Sequence, residues 1–532
     1  MTRFQLFARA MQLSCLVCGL LQLVIDSSND NVLSVLLIVG STLLVYQYLD
    51  RSRATVDYPV SSLAIIGFNV TSSLASLVAQ TTSWVPVTQL LRGPVLTFSV
   101  LAAASLIAVA VHWTYRHLAA TVSLRDVLAL HVFRPLGVLD APPIGTLWAM
   151  AILGTLSTLQ GGAAFGDAGG KLFQALGFLQ WLPFAIPLYY KKYGDRYCDI
   201  KKQIPLLIAF TITLMGIGLL RNARQLMLIG PVQAALIYFI WAMQDPSPVR
   251  KRTLAKAGAG LVAVLMSITL FTDVAVAMAL ARDKRETSTP WQTVQETYHL
   301  LSERDKLTAY RMSGTLAASL NIYDEAYLSN PILARFSETK FHDNMLYFAF
   351  NFNAKQRAEV LDTNVEKLLM TLPQPVLDML EIKLDKQRNA YSMGDFYRYQ
   401  NEGSESLGGF ATGSMWADVI VIGQDFAPFL VAVLFLVLFL CFDSLSLRGE
   451  IFVVSPIVLG GTWSILLYGL GSESLAAKLA FLLRDMPQKV LIYALLAFML
   501  RMIFKRIPTI DSDQADQTTP KPAQLFGADH PL

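Results

Sequence analysis

Long apolar runs recur along the chain, and each approaches the 20 or so residues that a helix needs to cross about 30 Å of hydrocarbon. We place them at residues 8–25, 32–49, 58–79, 93–113, 144–164, 171–190, 204–220, 225–243, 257–281, 424–442, 451–470 and 486–504. The pattern predicts an all-α polytopic membrane protein with about twelve transmembrane helices. Residues 114–143 are too charged and too often interrupted by proline to span, and we expect an interfacial helix and a loop there.

A mostly polar insertion separates the ninth apolar run from the tenth. Helical periodicity within it predicts helices over Trp291–Leu307, Ala354–Met370 and Gln374–Lys386. The expected organisation is therefore a membrane domain at 1–282 with spans one to nine, a helical loop domain at 283–423, spans ten to twelve at 424–506, and a disordered tail at 507–532. No small-x-small cleavage site follows the first run, so we expect it to be retained as a helix.

Positive charge falls in alternate connections between the apolar runs. With the N-terminus inside, the inside connections hold Arg51, Arg53, Arg116, Arg125, Arg134, Lys191, Lys192, Arg196, Lys201, Lys202, Arg250, Lys251, Arg252, Lys256, Arg448, Lys505 and Arg506. Cytoplasmic loops of membrane proteins carry such an excess of lysine and arginine. The distribution predicts that both termini are cytoplasmic and that the 283–423 loop is external.

Composition agrees with a membrane protein, since 54% of residues are hydrophobic and 15% are charged. The chain lacks a GxxxxGK[ST] phosphate loop, an HExxH motif and a GxSxG elbow, and the long loop contains no cysteine. We therefore expect no metal and no cofactor. We expect no nucleic-acid partner either, because the positive residues cluster in short loops rather than on one binding face. Asp273 is almost the only acidic residue in spans seven to nine, which disfavours a proton-coupled transporter.

One external connection breaks the charge pattern, because Arg221-Asn222-Ala223-Arg224-Gln225 joins spans seven and eight. Two guanidiniums about one turn apart, beside the start of a helix, can hold a phosphate or diphosphate. The alternative is that Arg221 and Arg224 cap helix ends and extend to lipid headgroups. The hypothesis of an anion site includes Arg221, Arg224 and Gln225.

Residues 330–344 are the densest polar and aromatic segment of the loop. Arg335 and Lys340 form a cation pair there, and His342 is followed by Asp343. Histidine can accept a proton from a hydroxyl near neutral pH, with an aspartate orienting it. The alternative is that His342-Asp343-Asn344 is a helix cap with a surface histidine.

The end of the loop offers groups that suit a sugar. Asp395, Tyr397 and Arg398 supply a carboxylate, an aromatic face and a cation. Gly409, Thr412 and Ser414 lie in a glycine-rich turn whose backbone N–H groups can approach an anion. The glycines could equally serve only to ease the path of the chain into the bilayer.

Topology and these motifs resemble bacterial O-antigen and exopolysaccharide polymerases of the Wzy type, which are related to the O-antigen ligases. The resemblance rests on the single external loop between spans nine and ten, the Arg221–Gln225 turn, Asn330–Asn344 and Ser392–Asp418. It implies a GT-C-like glycosyltransferase in the bacterial inner membrane that is metal-independent and inverting. The implied donor is a glycan on undecaprenyl diphosphate, and the acceptor is a lipid-linked repeat unit.

The resemblance also suggests roles for individual residues. Arg221 and Arg224 would hold the donor diphosphate, and Arg335 and Lys340 would bind the second diphosphate or stabilise the leaving group. His342, with Asp343, would be the base or the group that orients the acceptor. The lipid bilayer is an expected partner, and a chain-length regulator is a further candidate. An O-antigen ligase acting on lipid A–core and a non-enzymatic transporter of lipid-linked oligosaccharides remain alternative functions.

Overall fold

The fold is taken from a computed structural model of the chain. It describes residues 1–159, 173–221, 224–245, 247–249, 272–278, 280–281, 290–310, 327–328, 333–334, 336–403, 407–409, 411–447, 453–461 and 470–504.

The chain begins with four long helices. They are α1 (Arg3–Ile25), α2 (Asn29–Arg51), α3 (Pro59–Thr82) and α4 (Pro94–His117). A capping box between Thr2 and Gln5 begins α1, and prolines at the first turn begin α3 and α4. A π-helical turn at Val70–Leu74 interrupts α3, and such turns often occur at functional sites.

The next helices continue the bundle. They are α5 (Ala119–Val127), α6 (Ile144–Leu159), α7 (Ile186–Tyr193), α8 (Ile200–Leu220) and α9 (Arg224–Gln244). A 3₁₀ helix at Gly177–Ala185 precedes α7 and packs against α6. The α5 segment and the π turn that follows it occupy the stretch where an interfacial helix was predicted, and Leu124 and Val127 there are exposed.

Five helices belong to the long loop. They are α10 (Pro290–Ser302), α11 (Thr339–Asn351), α12 (Ala354–Leu369), α13 (Gln374–Met379) and α14 (Met393–Glu402). Three of them overlap the predicted helices, although α13 ends at Met379 rather than Lys386. Helices α11 and α14 were not predicted, although apolar residues recur in them at helical spacing, as Phe341, Met345 and Phe348 do in α11.

The chain then returns to the bundle through α15 (Met415–Ser444) and a two-stranded pairing of β1 (Ser446–Leu447) with β2 (Val453–Val454). The last helices are α16 (Pro456–Gly461), α17 (Leu475–Ala480) and α18 (Met486–Arg501).

Within the described residues, six helices are long and apolar enough to span a membrane: α1, α2, α3, α4, α8 and α15. They coincide with predicted spans one to four, seven and ten, so an all-α membrane protein is confirmed. Twelve spans are not confirmed. Most of predicted span nine and much of span eleven lie outside the described residues, as do the tail and residues 160–172 where predicted spans five and six meet. Asp273 is described and half-buried.

The bundle has two polar ends. At one end, which we call the His342 end, Gln22 Nε2 donates to Thr81 Oγ1 over 3.0 Å, and Asp343 of α11 accepts from Gly93 N over 2.9 Å. At the other, which we call the His112 end, His112 Nε2 lies 2.8 Å from Ser61 Oγ, and Asp245 lies 3.5 Å from Arg3. The described part of the loop is not separate from the bundle, because Met345 and Leu346 of α11 share one hydrophobic core with the membrane helices.

Candidate functional site

His342 lies in the first turn of α11 and is held by a serine from a distant part of the chain. Its Nδ1 is 2.9 Å from Ser414 Oγ. His342 is 1% exposed and Ser414 2% exposed. Ser414 directly precedes α15 but its hydroxyl does not cap that helix. The Ser414 hydroxyl therefore hydrogen-bonds the imidazole rather than the helix end, and this bond orients the ring.

Ser414 also joins the site to a third segment. Its backbone forms bridges with Ser472 and Glu473, and the neighbouring Met415 N donates to Gly471 O over 3.3 Å. The start of α11, the start of α15 and the turn before α17 therefore meet around His342. The indole of Trp416 completes this meeting point, with its ring centroid 6.4 Å from that of His342.

The second imidazole nitrogen of His342 is available for a ligand. Nε2 is buried and has no hydrogen-bond partner among the residues that the structure describes. A buried polar atom without a partner costs about 1–3 kcal/mol. If Ser414 accepts a proton from Nδ1, Nε2 carries a lone pair that can receive the hydrogen of a bound hydroxyl; the other tautomer makes Nε2 a donor.

Burial and the nearby charge of Lys478 in α17 both disfavour a proton on His342. Burial, and secondarily the positive charge of Lys478, lowers the pKa of His342 from 6.5 to about 3. Burial also lowers the pKa of Lys478, while the charges of Glu473 and Glu338 act to raise it. The imidazole is consequently neutral at pH 7 and can orient a hydroxyl by hydrogen bonding, but it is a weak base.

Asp343 does not orient His342, contrary to the predicted pairing. Its carboxylate accepts hydrogen bonds from Arg92 N at 2.8 Å, Gly93 N at 2.9 Å and Thr97 Oγ1 at 3.1 Å. These donors surround the start of α4, where the helix dipole favours negative charge. The interpretation of Asp343 as the orienting partner of His342 was wrong, because its oxygens face α4. Nor does His342-Asp343-Asn344 cap α11, since Glu338 occupies the N-cap position.

Lys340 belongs to the same group of contacts between α11 and the residues around the start of α4. Its Nζ lies 3.3 Å from Asp343 Oδ2 and also contacts Leu90 O, and the residue is 4% exposed. The start of α11 is further bound to the π turn of α3, where Thr339 Oγ1 donates to Ser72 O over 2.8 Å. The ammonium of Lys340 therefore holds α11 on the bundle. Whether it also meets a diphosphate stays a prediction.

Asp395 and Tyr397 lie buried under the glycine-rich turn. Ser392 caps α14, and Asp395 completes the capping box by accepting from Ser392 N; Asp395 also accepts from Ala411 N over 2.9 Å. Tyr397 OH donates to Asp418 Oδ1 over 3.0 Å. A side chain at Gly394 would place its Cβ 2.2 Å from Ala411 O, so only glycine permits this approach. These contacts support the segment that carries Ser414.

The other loop candidates are more accessible. Arg398 pairs with Glu402 at 3.3 Å, Gly409 is exposed and Thr412 is half-buried. Of the predicted sugar-binding set, only Ser414 touches His342. The saccharide contacts of Arg398, Gly409 and Thr412 stay predictions.

The predicted anion site is only partly described. Arg221 ends α8 and is half-buried, and no described contact joins it to the His342 cluster. Arg224 begins α9, but its side chain and that of Gln225 lie outside the described residues, as does Arg335.

The sequence reading missed three residues at this end. Lys478 and Trp416 lie beside His342, and Arg92 lies over the rings of Tyr347 and Phe348, 5.3 and 5.1 Å from their centroids. Arg92 had a detectable signal, as an arginine in a connection predicted to be external. Lys478 had only the same weak signal, a positive charge in a connection predicted to be external, in this case the one before span twelve.

Within the described residues, no group of three or more His, Cys, Asp and Glu side chains could hold a metal. Comparison with protein-family models, curated proteins and solved structures finds no match for this chain.

Proposed function

We propose that this chain is an integral-membrane glycosyltransferase that polymerises a polysaccharide. It would transfer a glycan from undecaprenyl diphosphate to a hydroxyl of a lipid-linked repeat unit. The observation that carries the proposal is the buried His342 imidazole, which Ser414 orients through Nδ1 and whose Nε2 is unpartnered. Such an atom suits a bound acceptor hydroxyl.

The chemistry requires little from the protein beyond positioning and charge. The acceptor oxygen attacks the anomeric carbon, the bond to the diphosphate oxygen breaks with its electron pair, and the anomeric centre inverts. Glycosyl transfer through an oxocarbenium-like transition state releases the hydroxyl proton late. The attacking oxygen is then strongly acidic, so a base with a pKa of about 3 suffices to receive the proton. His342 Nε2 takes it and passes it to water.

The remaining parts of the proposal concern location and charge. A GT-C-like bundle of about twelve spans would place the His342 end on the external face of the bacterial inner membrane, with both termini cytoplasmic, following the charge bias. The arginines proposed to bind the diphosphates are Arg221, Arg224 and Arg335, and we add Arg92 to them. No metal is required, since these cations can neutralise the leaving group.

Two alternatives share parts of this arrangement. An O-antigen ligase would use the same donor and the same histidine. A non-enzymatic transporter would bind the donor without cleaving it. The buried imidazole favours chemistry over transport, because a transporter needs no oriented neutral histidine.

Deleting the gene tests the function. The strain should display single repeat units on its surface glycolipid or lack exopolysaccharide, and the wild-type chain should restore the polymer. His342→Gln should fail to restore it, whereas His299→Gln should succeed, because the side chain of His299 is 69% exposed. Full-length polymer accumulating on undecaprenyl diphosphate would identify a ligase instead, and unchanged glycans would exclude both enzymes.

A further inference from the structure

Lys478 is a buried cation without a direct counter-ion. It is 3% exposed, and its Nζ reaches Ser472 Oγ over 3.4 Å. An ammonium has three N–H donors, so this long bond leaves most of its capacity unused. No ion pair of Lys478 is found anywhere in the described part of the chain.

Lys340 provides an internal comparison at the same end of the bundle. It is 4% exposed, but its charge is matched by Asp343 at 3.3 Å. A buried charge is expensive to keep unless it is paired. For Lys478, Glu338 and Glu473 act only from farther away. A bound anion would satisfy Lys478 as Asp343 satisfies Lys340.

The position of Lys478 is firmly held. In the first turn of α17, Leu475 N donates to Asp418 Oδ2 over 2.8 Å, and Ala476 N donates to Asn364 Oδ1 over 3.1 Å. The Ser474 hydroxyl caps the same turn. Asp418 of α15 and Asn364 of α12 thus fix a short helix that carries one buried cation near His342, whose Nε2 has no hydrogen-bond partner among the described residues.

We propose that Lys478 binds a phosphate oxygen of the lipid-linked donor, namely the oxygen that leaves as the glycosidic bond breaks. This inference rests on the proposed function. The electron pair of the broken carbon–oxygen bond moves to that oxygen, and its new negative charge lies beside the ammonium. The acceptor hydroxyl, held at His342 Nε2, loses its proton to the imidazole. Leaving group and nucleophile would then sit on neighbouring side chains.

The test measures binding of undecaprenyl diphosphate to the purified full-length protein by thermal stabilisation. Lys478→Met should weaken binding by about 10- to 100-fold, the effect of losing a charged hydrogen bond. Lys478→Arg should retain most of it. Lys489→Met is the matched control, because Lys489 lies in the same region of chain but faces Phe481, 5.7 Å from that ring.

The ligand-free protein gives a second readout. If Lys478 serves to bind an anion and does not stabilise the fold, Lys478→Met should unfold at the same temperature as wild type or higher. A marked loss of stability without any loss of binding would show a structural lysine and overturn the proposal. Inorganic pyrophosphate that protects as well as the lipid would assign the site to free diphosphate.

The two proposals can fail separately. Wild-type binding by Lys478→Met, together with an inactive His342→Gln, overturns the role of Lys478 alone. Wild-type protein that binds neither the lipid nor pyrophosphate overturns the anion site and the proposed donor together.

Discussion

Removing the Asp343 carboxylate should destabilise the protein rather than only inactivate it. Asp343 is fully buried and receives two backbone N–H groups and one hydroxyl from the start of α4. It also faces Lys340 Nζ at 3.3 Å. Asp343→Ala would leave these donors and a buried ammonium without their acceptor.

The magnitude follows from these contacts. A buried donor that loses its acceptor costs about 1–3 kcal/mol, and breaking a buried ion pair costs about 3–5 kcal/mol. These contributions overlap because one carboxylate serves all the partners, so they do not add. We expect the free energy of unfolding to fall by about 3–5 kcal/mol.

Denaturant titration of the purified protein in detergent measures this loss. Asp343→Asn should fall between wild type and Asp343→Ala, since the amide oxygen can still accept one hydrogen bond. Adding Lys340→Met to Asp343→Ala should recover part of the loss, because the buried charge disappears with its partner.

An Asp343→Ala protein that unfolds like wild type but makes no polymer would refute this reasoning. That result would return Asp343 to the catalytic role predicted from its position beside His342.

Two further predictions concern the site itself. Because the folded-state pKa of His342 is about 3 against an ordinary 6.5, only the unfolded chain binds its proton between these values. The free energy of unfolding should therefore fall as pH drops below 6.5, by up to about 1.4 kcal/mol per pH unit. Denaturation at pH 7, 6 and 5 should show a smaller change in the free energy of unfolding per pH unit for His342→Gln than for wild type. Equal changes in the two proteins would contradict the neutral imidazole. Gly394→Ala should lower the unfolding temperature and the polymer yield, because its Cβ would meet Ala411 O at 2.2 Å, whereas Gly216→Ala, with nothing within 4 Å, should do neither.

The long helices could be predicted from the sequence because their signal is local. Apolar runs of spanning length identify α2, α4 and α15 without reference to the rest of the chain. The long loop was harder, since α11 and α14 are short and bury polar residues, His342 and Asp343 in α11 and Asp395 in α14. Their helical form depends on packing against the bundle.

The site could be predicted only in part, because its contacts join distant residues. His342 was singled out from its chemistry, but its partner Ser414 is 72 positions away. The backbone and hydroxyl donors to Asp343 lie 246 to 251 positions away, so only neighbours such as His342 and Lys340 were visible in the sequence as its partners. Asp395 and Tyr397 suited a sugar by residue type; their polar atoms have hydrogen-bond partners within the fold, and their saccharide contacts stay predictions.

Extension of a lipid-linked oligosaccharide by the purified protein tests the central claim most directly. Wild type and His299→Gln should lengthen the glycan on undecaprenyl diphosphate without nucleotide sugar or added metal. His342→Gln should be slower by about 10²–10⁴-fold while unfolding at a similar temperature at pH 7. A wild-type product ladder from His342→Gln would contradict the account, because the neutral imidazole would then be a part of the core and not of the reaction.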